Sequence, residues 1–259
     1  MNYENVVVEI GDDLIATITL NRPKNLNTFN TPLATELNCA LLELDEDKRA
    51  RVIIIKGNGK VFSAGIDVSD FFGMDVMRYR QWIECMEKPL VTINQIKKPV
   101  IAQVHGVAAA NGAGLVAASD LAIAADSARF GLTAINVGLN CIGPVVPVAR
   151  SVGRKRALEL LFYGNLIPAA EALNLGLVNR VVAEADLEKE TRAWAGVLAQ
   201  KSPIALQIAK KAFYAAEDMD YRKAFEYMNE AFARLCSTKD SAEGIRAFLD
   251  KRSPVWKEE

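Results

Sequence analysis

The stretch from residue 99 to residue 126 restricts the possible fold more than any other part of the chain. It begins as a β-branched strand pattern, stops at His105-Gly106, and continues through seven mostly small residues, 108–114. Such residues leave the backbone accessible, so another molecule can lie against it and meet its N–H groups. If residues 112–119 are helical, Asn111 stands at the helix N-terminus, where free amides and the helix dipole favour an anion. The alternative is a helix packed tightly on a strand.

Composition limits the class of protein. A chain of 259 residues, 51% hydrophobic, is long enough to bury a substantial core. Its net charge of −1 gives no overall attraction to nucleic acid or to an anionic membrane, and we expect neither partner. The apolar region 106–126 is interrupted by polar residues and glycines and would not span a bilayer.

The cysteines and the first residues suggest a compartment. The four cysteines are widely spaced and form no CxxC pair, which in a chain of this length is typical of reduced core thiols. The start of the chain is acidic and has neither a basic region nor an apolar signal core. We therefore expect a cytoplasmic protein.

The pattern of strands and helices divides the chain in two. Residues 1–200 repeat a strand-strand-helix rhythm, which favours an α/β core with a sheet covered by helices. Residues 201–259 are purely helical in pattern, at about 203–216, 220–236 and 240–251. We interpret this second part as a helical region for self-association.

Local signals predict helix boundaries. Thr31-Pro32 supplies an N-cap and a first-turn proline. Residues 75–98 are helical in period, with Pro89 as an interruption. Asp240, followed three residues later by Glu243, resembles a capping arrangement.

Two loops of small residues, 62–67 and 108–114, carry the chemical argument. Each follows a strand and is placed to expose a backbone amide. Two converging amides suit a thioester carbonyl as it becomes an enolate or a tetrahedral oxyanion. Each such donor typically contributes about 2.7–4 kcal/mol of transition-state stabilisation.

Four segments, in order and at matching spacing, resemble the crotonase (enoyl-CoA hydratase/isomerase) superfamily over essentially the whole chain. They are residues 21–27, 62–67, 99–131 and 243–252. The resemblance implies an α/β, ClpP/crotonase-like spiral of ββα units with a C-terminal all-α trimerisation region. It also implies a homo-oligomer, either a trimer or a dimer of trimers. The tail, residues 251–256, is similar to the branch of domain-containing hydratase-like proteins.

The resemblance also implies a substrate and a set of site residues. The substrate would be an acyl-CoA thioester, in which coenzyme A is part of the substrate and not a separate cofactor; no metal is implied. The backbone N–H groups of Ile66 and Asn111 would form the oxyanion hole. The coenzyme and its thioester would lie along Lys24, Leu26, Ala64, Asp67, Val68 and Gly112. Lys24 could equally be a solvated loop lysine, and Asp67 a helix N-cap.

The chain departs from the family where the chemistry happens. Hydratases carry two glutamates that hold and activate water, and by the resemblance these fall on Gly114 and Ala134. Neither residue can transfer a proton. Because general acid–base groups typically contribute 10²–10⁴ each and are not additive, losing both costs at least roughly 10³ in rate. We therefore predict that the protein is not an efficient enoyl-CoA hydratase.

Other side chains could replace the glutamates. Cys141 is a candidate nucleophile or acid, or else an inert buried thiol, since no histidine is evident to activate it. His105 lies where a strand enters a loop, which favours a structural role. Asp70, Glu84 and Cys85 belong to a segment that often covers the acyl pocket, although Asp70 and Glu84 could equally be solvated helix residues.

Two classes of function remain open. The first is an enzyme that uses the oxyanion hole for isomerisation, thioester hydrolysis or decarboxylation of an acyl-CoA. The second is a catalytically idle acyl-CoA-binding homologue, acting as a sensor or regulatory subunit. RNA binding is disfavoured by the net charge and by the lack of an RNA-binding motif.

Overall fold

The computed structural model describes residues 3–69 and 71–258, so that Asp70 lies outside the described residues. The strands are β1 Val6–Ile10, β2 Ile15–Leu20, β3 Val52–Gly57, β4 Val100–Val104, β5 Val107–Ala109, β6 Leu121–Ala125, β7 Arg129–Gly131, β8 Ile167–Pro168 and β9 Arg180–Val182. The helices are α1 Thr31–Glu46, α2 Val76–Gln95, α3 Asn111–Ala118, α4 Val145–Val152, α5 Arg154–Tyr163, α6 Ala169–Leu175, α7 Leu187–Ala199, α8 Pro203–Ala216, α9 Tyr221–Cys236 and α10 Lys239–Leu249.

The strands form two sheets. In the described ranges one sheet has six strands in the order β1-β2-β3-β4-β6-β9, and the other has the order β5-β7-β8. The β1–β2 hairpin is antiparallel, and the remaining pairs of the larger sheet are parallel. β3 and β4 are rich in Val and Ile and are almost wholly buried, as expected for parallel strands covered by helices on both faces.

From β4 to β7, consecutive strands alternate between the two sheets. β4 belongs to the larger sheet and β5 to the smaller, and β6 and β7 repeat the division. The turn between β4 and β5 contains Gly106, whose φ of +58° and tight contact with the Lys60 carbonyl require glycine. A helix follows each such strand pair, which confirms the predicted spiral of ββα units.

Three predicted helix boundaries are wrong in detail. Thr31 is the first residue of α1 and not its cap, because the Asn30 side chain accepts the hydrogen bond from a first-turn backbone N–H. α2 continues through Pro89, which is buried within the helix. Asp240 lies inside α10, whose N-cap is Thr238.

The C-terminal helices dock on the core through a buried ionic network. Lys210 of α8 donates to Asp120 Oδ2 (2.7 Å) and to the Lys98 carbonyl (2.8 Å). The other Asp120 oxygen accepts from the Tyr214 hydroxyl (2.8 Å), while Oδ2 also accepts from Val100 N (2.7 Å). Burial raises the pKa of Asp120 and lowers that of Lys210. α8 is therefore held to the end of α3 by a desolvated pair.

The helical region leaves much apolar surface uncovered in the single chain. α9 buries only Ala231 and carries exposed aromatic side chains on the remainder of its surface. Large exposed apolar side chains of α8–α10 are Phe213, Tyr221, Phe225, Phe232, Ile245, Phe248 and Leu249. Contiguous patches of this kind are typical of interaction surfaces, although the predicted oligomer itself stays a prediction.

Within the described ranges, no helix is long and apolar enough to cross a membrane.

Candidate active site

The two small-residue loops lie directly against each other. Ser63 N donates to the Val107 carbonyl (3.1 Å), and Ala109 N donates to the Ser63 carbonyl (2.9 Å). These bonds form a short parallel bridge between the loop at 62–67 and β5. The main chain of one loop therefore fixes the position of the other.

Small residues make this approach possible. Gly65 has φ +111°, and a Cβ at this position would lie 2.8 Å from the Cβ of Ala110. A Cβ on Gly112 would clash with the Ser63 carbonyl. Gly112 therefore packs tightly against the loop at 62–67, and its Cα faces protein and not open space.

The same packing brings two peptide groups together. Gly65 contacts Ala110, so the peptide N–H groups that follow these residues, those of Ile66 and Asn111, belong to neighbouring parts of the main chain. Asn111 is the first residue of α3, where a backbone N–H has no intrahelical acceptor. In the described part of the chain, neither amide donates to a protein acceptor.

Phe29 fixes the direction of the Ile66 amide. Phe29 N donates to the Gly65 carbonyl (2.7 Å), and the Phe29 carbonyl accepts from Asp67 N (2.8 Å). In such a parallel bridge the N–H of the central residue, Ile66, points away from the partner strand. The Ile66 amide is therefore directed away from Phe29.

The backbone at Ala110 is strained. Its φ of +48° and ψ of −115° lie in a region that residues with a Cβ rarely adopt. Such a conformation costs about 1–3 kcal/mol and persists when the surroundings over-determine it. Here Ala110 N donates to the Gly131 carbonyl (2.8 Å), and the Ala110 carbonyl accepts from Gly114 N (2.9 Å). The strain turns the chain sharply just before the Asn111 amide.

Residues proposed to contact coenzyme A lie beside this pair of loops. Ala64 N donates to the Leu26 carbonyl (3.0 Å), which joins the loop at 62–67 to the segment that contains Lys24. Leu26 and Val68 are about half exposed, and Lys24 is also exposed. The chain thus brings Lys24, Leu26, Ala64 and Val68 to one accessible region.

Asp67 has a structural role in the loop. Its Oδ1 accepts from the Ser69 hydroxyl (2.7 Å) and the Ser69 N–H (3.2 Å), and its Oδ2 pairs with Arg22 Nη2 (3.0 Å). The bond from Ser69, together with Arg22, lowers the pKa of Asp67. The helix N-cap interpretation of Asp67 is wrong, because α2 is capped by Asp75.

Gly114, one of the two positions where the resemblance places a hydratase glutamate, is closely packed. A Cβ on Gly114 would lie 2.8 Å from Pro144 Cβ and 2.9 Å from Leu90 Cδ2. Contacts this short do not occur for ordinary side chains without a shift of the neighbours. Position 114 therefore carries no carboxylate, and the present packing of Pro144 and Leu90 leaves no space for one.

The surroundings of Cys141 make its thiol unreactive. It is 3% exposed, and it lies near Ala134, the other position where the resemblance places a glutamate. Burial raises the pKa of the Cys141 thiol, which disfavours the thiolate that a nucleophile requires. His105 donates to the Gly59 carbonyl (2.9 Å), in agreement with a structural role.

Sequence reasoning missed Glu87, a half-buried carboxylate on α2. A Cβ on Gly143 would overlap the Glu87 carboxylate, so the group lies directly against the Gly143 main chain. Burial raises the pKa of Glu87. The signal was available: Glu87 stands between Met86 and Leu90, which are buried on the same helix. An acidic residue beside that apolar stripe is unusual.

The chain is similar to known proteins along nearly its whole length. The profile of the family described as enoyl-CoA hydratase/isomerase matches residues 11–259. The human mitochondrial enoyl-CoA hydratase domain-containing protein 3 is 38% identical over 248 residues, covering 95% of this chain and 82% of that protein. The probable enoyl-CoA hydratase echA8 of Mycobacterium tuberculosis is 35% identical over 265 residues, covering 99% of each.

Solved structures agree in fold. An enoyl-CoA hydratase from Mycobacterium smegmatis superposes with a TM-score of 0.95 at 35% identity, covering 98% of this chain and 99% of that chain. The human enoyl-CoA hydratase domain-containing protein 3 superposes with a TM-score of 0.93 at 37% identity, covering 98% and 100%. The crotonase fold is confirmed. Because the human relative is named as mitochondrial, the cytoplasmic location stays a prediction.

The profile match and the identity along nearly the whole chain show that this protein belongs to the enoyl-CoA hydratase/isomerase (crotonase) family.

Proposed function

We propose that this protein is an enzyme that binds an acyl-CoA thioester and stabilises its enolate or oxyanion with the backbone amides of Ile66 and Asn111. One observation carries the proposal. The two amides follow residues in mutual contact, Gly65 and Ala110, and neither has a protein acceptor in the described ranges. Buried amides are almost always paired, so two neighbouring amides without a protein acceptor favour a ligand oxygen.

The physical gain from such a pair is large. Each preorganised donor contributes about 2.7–4 kcal/mol when charge develops on the oxygen. Asn111 also lies at the N-terminus of α3, where the helix dipole favours negative charge. The thioester would enter along the accessible loop region of Lys24, Leu26, Ala64, Asp67 and Val68, and Gly112 would offer a further amide near the acyl group. Coenzyme A serves here as part of the substrate.

Hydration is the reaction we expect this site to perform poorly. Gly114 has no space for a carboxylate, and Ala134 carries none. The absence of both acid–base groups costs at least roughly 10³ in rate. The function we propose is thus thioester-enolate chemistry other than two-glutamate hydration.

Oligomerisation belongs to the same proposal. The exposed apolar side chains of α8–α10 form a surface that association would cover, and a trimer or a dimer of trimers is the assembly we propose. Size-exclusion chromatography with light scattering tests it, and a monomer at micromolar concentration would contradict it.

The first test is mass spectrometry of the purified protein incubated with a panel of acyl-CoAs. The panel spans crotonyl, longer enoyl, dienoyl, aromatic and carboxylated acyl-CoAs, and both bound ligand and product are scored. We expect turnover of one class, with crotonyl-CoA hydration at least about 10³ below that of two-glutamate enzymes. Crotonyl-CoA hydration at the rate of those enzymes would overturn the proposal.

A second candidate is a catalytically idle acyl-CoA-binding protein, favoured by the unreactive surroundings of Cys141. Asn111→Pro separates the two, because proline is tolerated at the first position of a helix and removes one amide. Ile66→Pro removes the other, whose N–H makes no hydrogen bond within residues 3–69 and 71–258. Turnover is abolished in an enzyme, whereas a binding protein only loses affinity. Circular dichroism verifies that each variant is folded.

A further inference from the structure

We infer, on the basis of the function proposed above, that Glu87 is the proton-transferring group of this site. It would take up and return a proton at the carbon chain beside the thioester carbonyl. The group reaches the site from α2, and not from α3 or from the segment after β7, the two places where the hydratase glutamates would stand.

The packing of α2 on α3 places Glu87 close to the end of α3 that carries the Asn111 amide. Asn111 Nδ2 donates to the Met86 carbonyl (3.2 Å), and Leu90 contacts the position of Gly114. The two helices therefore advance together along this interface, residue 86 beside 111 and residue 90 beside 114. Glu87 thus lies near the N-terminal end of α3, where the Asn111 amide is free.

The surroundings of the carboxylate are unusual. Glu87 is half-buried against Gly143, and in the described part of the chain it has neither a hydrogen bond nor an ion pair. Burying an unpartnered carboxylate costs free energy, so folding stability does not explain its presence. The accompanying rise in its pKa brings the group closer to neutral pH, where general acid–base catalysis is most efficient.

Glu87 also lines a cavity that can accept an acyl chain. The cavity has a volume of about 490 Å³ and lies between α2, the C-terminal end of α3, α4 and α8, and its described lining includes no residue of the loops at 62–67 and 108–114. Much of its wall is apolar and includes Leu90, Val91, Ala117, Val146, Pro147 and Phe213. Ligand pockets are typically of this size and are mainly apolar, with a few polar groups.

The other titratable groups of the cavity already have partners. Asp120 is bonded to Tyr214 and to the α8 lysine, and Arg150 lies 3.7 Å from Glu217. Among the described lining residues, Glu87 is the carboxylate left without a partner. It is therefore the acid–base group that this cavity can offer to a bound substrate.

The step is balanced for a 3-enoyl-CoA without any co-reactant. The Glu87 carboxylate removes a proton from C2, and the electron pair of the broken C–H bond enters a dienolate whose oxygen lies at the Ile66 and Asn111 amides. The double bond shifts from C3–C4 to C2–C3, and Glu87 returns its proton to C4. A C–H bond forms there, and the carboxylate is regenerated beside a 2-enoyl-CoA.

Isomerisation, in which one carboxylate moves the proton, suits this site better than hydration or thioester hydrolysis. Hydration uses a pair of carboxylates, and thioester hydrolysis through a thiol intermediate requires an activated cysteine. The Cys141 thiol is buried with a raised pKa and is not such a nucleophile. A single carboxylate can both remove and return the proton.

The test uses trans-3-hexenoyl-CoA with the full-length protein in D2O. Isomerisation is followed by the absorbance of the conjugated product, and deuterium incorporation at C2 and C4 by NMR and mass spectrometry. Affinity is measured separately by calorimetry with butyryl-CoA. We expect Glu87→Gln to lower isomerisation and exchange by at least about 10², with affinity unchanged. Glu87→Asp, which keeps a shortened carboxylate, should retain part of the rate.

Glu84→Gln is the matched control. Glu84 lies one turn earlier on α2, but it is exposed and paired with Arg80 (2.9 Å). It should leave rate and affinity unchanged. Equal activity of Glu87→Gln and Glu84→Gln would overturn the role of Glu87, as would binding without isomerisation or exchange by the unaltered protein. Failure of that protein to bind butyryl-CoA at all would instead overturn the proposed function, and the role of Glu87 with it.

Discussion

Replacing Asp120 with asparagine tests whether the buried network holds the C-terminal helices to the core. Asp120 is the partner of Lys210, and the two side chains are 15% and 7% exposed. Asparagine has nearly the same shape, and its amide oxygen and nitrogen can still bond to Lys210 and to the Tyr214 hydroxyl, but it removes the negative charge. The substitution therefore leaves the Lys210 ammonium buried without a counter-charge.

The size of the effect follows from this burial. Breaking a buried ion pair by removing one partner costs about 3–5 kcal/mol. In a chain of this size, each kcal/mol lowers the melting temperature by about 2–4 °C, so the expected decrease is about 6–20 °C. Differential scanning calorimetry with circular dichroism measures it.

Asp218→Asn is the control for this experiment. Asp218 follows α8 and pairs with Arg150 of α4 (2.9 Å), but the side chains are 79% and 44% exposed. Surface pairs contribute at most about 1 kcal/mol, so this variant should lose no more than about 4 °C. If Asp120→Asn melts within about 2 °C of Asp218→Asn, the desolvated pair does not hold the helices as argued.

Three further predictions concern the site. Gly114→Ala should destabilise the protein by about 1–3 kcal/mol in urea unfolding, because the new methyl group would press on Pro144 and Leu90; unchanged stability would contradict the packing argument. Cys141→Ala should leave turnover of whichever acyl-CoA proves to be the substrate within about tenfold, and a larger loss would restore the thiol as a candidate catalytic group. Glu87→Gln should raise the melting temperature at neutral pH. Because burial raises the pKa of Glu87 above its unfolded value, the charged form destabilises the fold at higher pH, and the gain should vanish in acid below that unfolded value.

Much of the fold could be predicted because its signals are local. The β1–β2 hairpin, the buried β3 and β4, and the start of α8 at Pro203 follow from apolar periodicity and turn residues. Asn30 was missed as a cap because Thr31 is an equally good capping residue one position later. Pro89 was misjudged because tertiary packing keeps α2 continuous past a missing N–H.

The candidate site was predictable only in its main-chain part. The small residues around Gly65 and Gly112 indicate two backbones in close approach, and the structure confirms that the loops meet. Glu87 could not be assigned to the site in the same way, since its place beside the apolar residues Met86 and Leu90 is a local signal that does not show what the carboxylate faces. Its position depends on how α2 packs on α3, which involves residues far apart in sequence.

The origin of the two free amides has a consequence for how activities diversify. Main-chain hydrogen bonds between Ser63 and Val107, and the contact of Gly65 with the Ala110 methyl group, hold these amides, and none of these four residues carries a carboxylate, thiol or amine. Substitutions elsewhere in the cavity can therefore exchange one reactive group for another without dismantling the anchor for the thioester. The scaffold separates holding a substrate from transforming it.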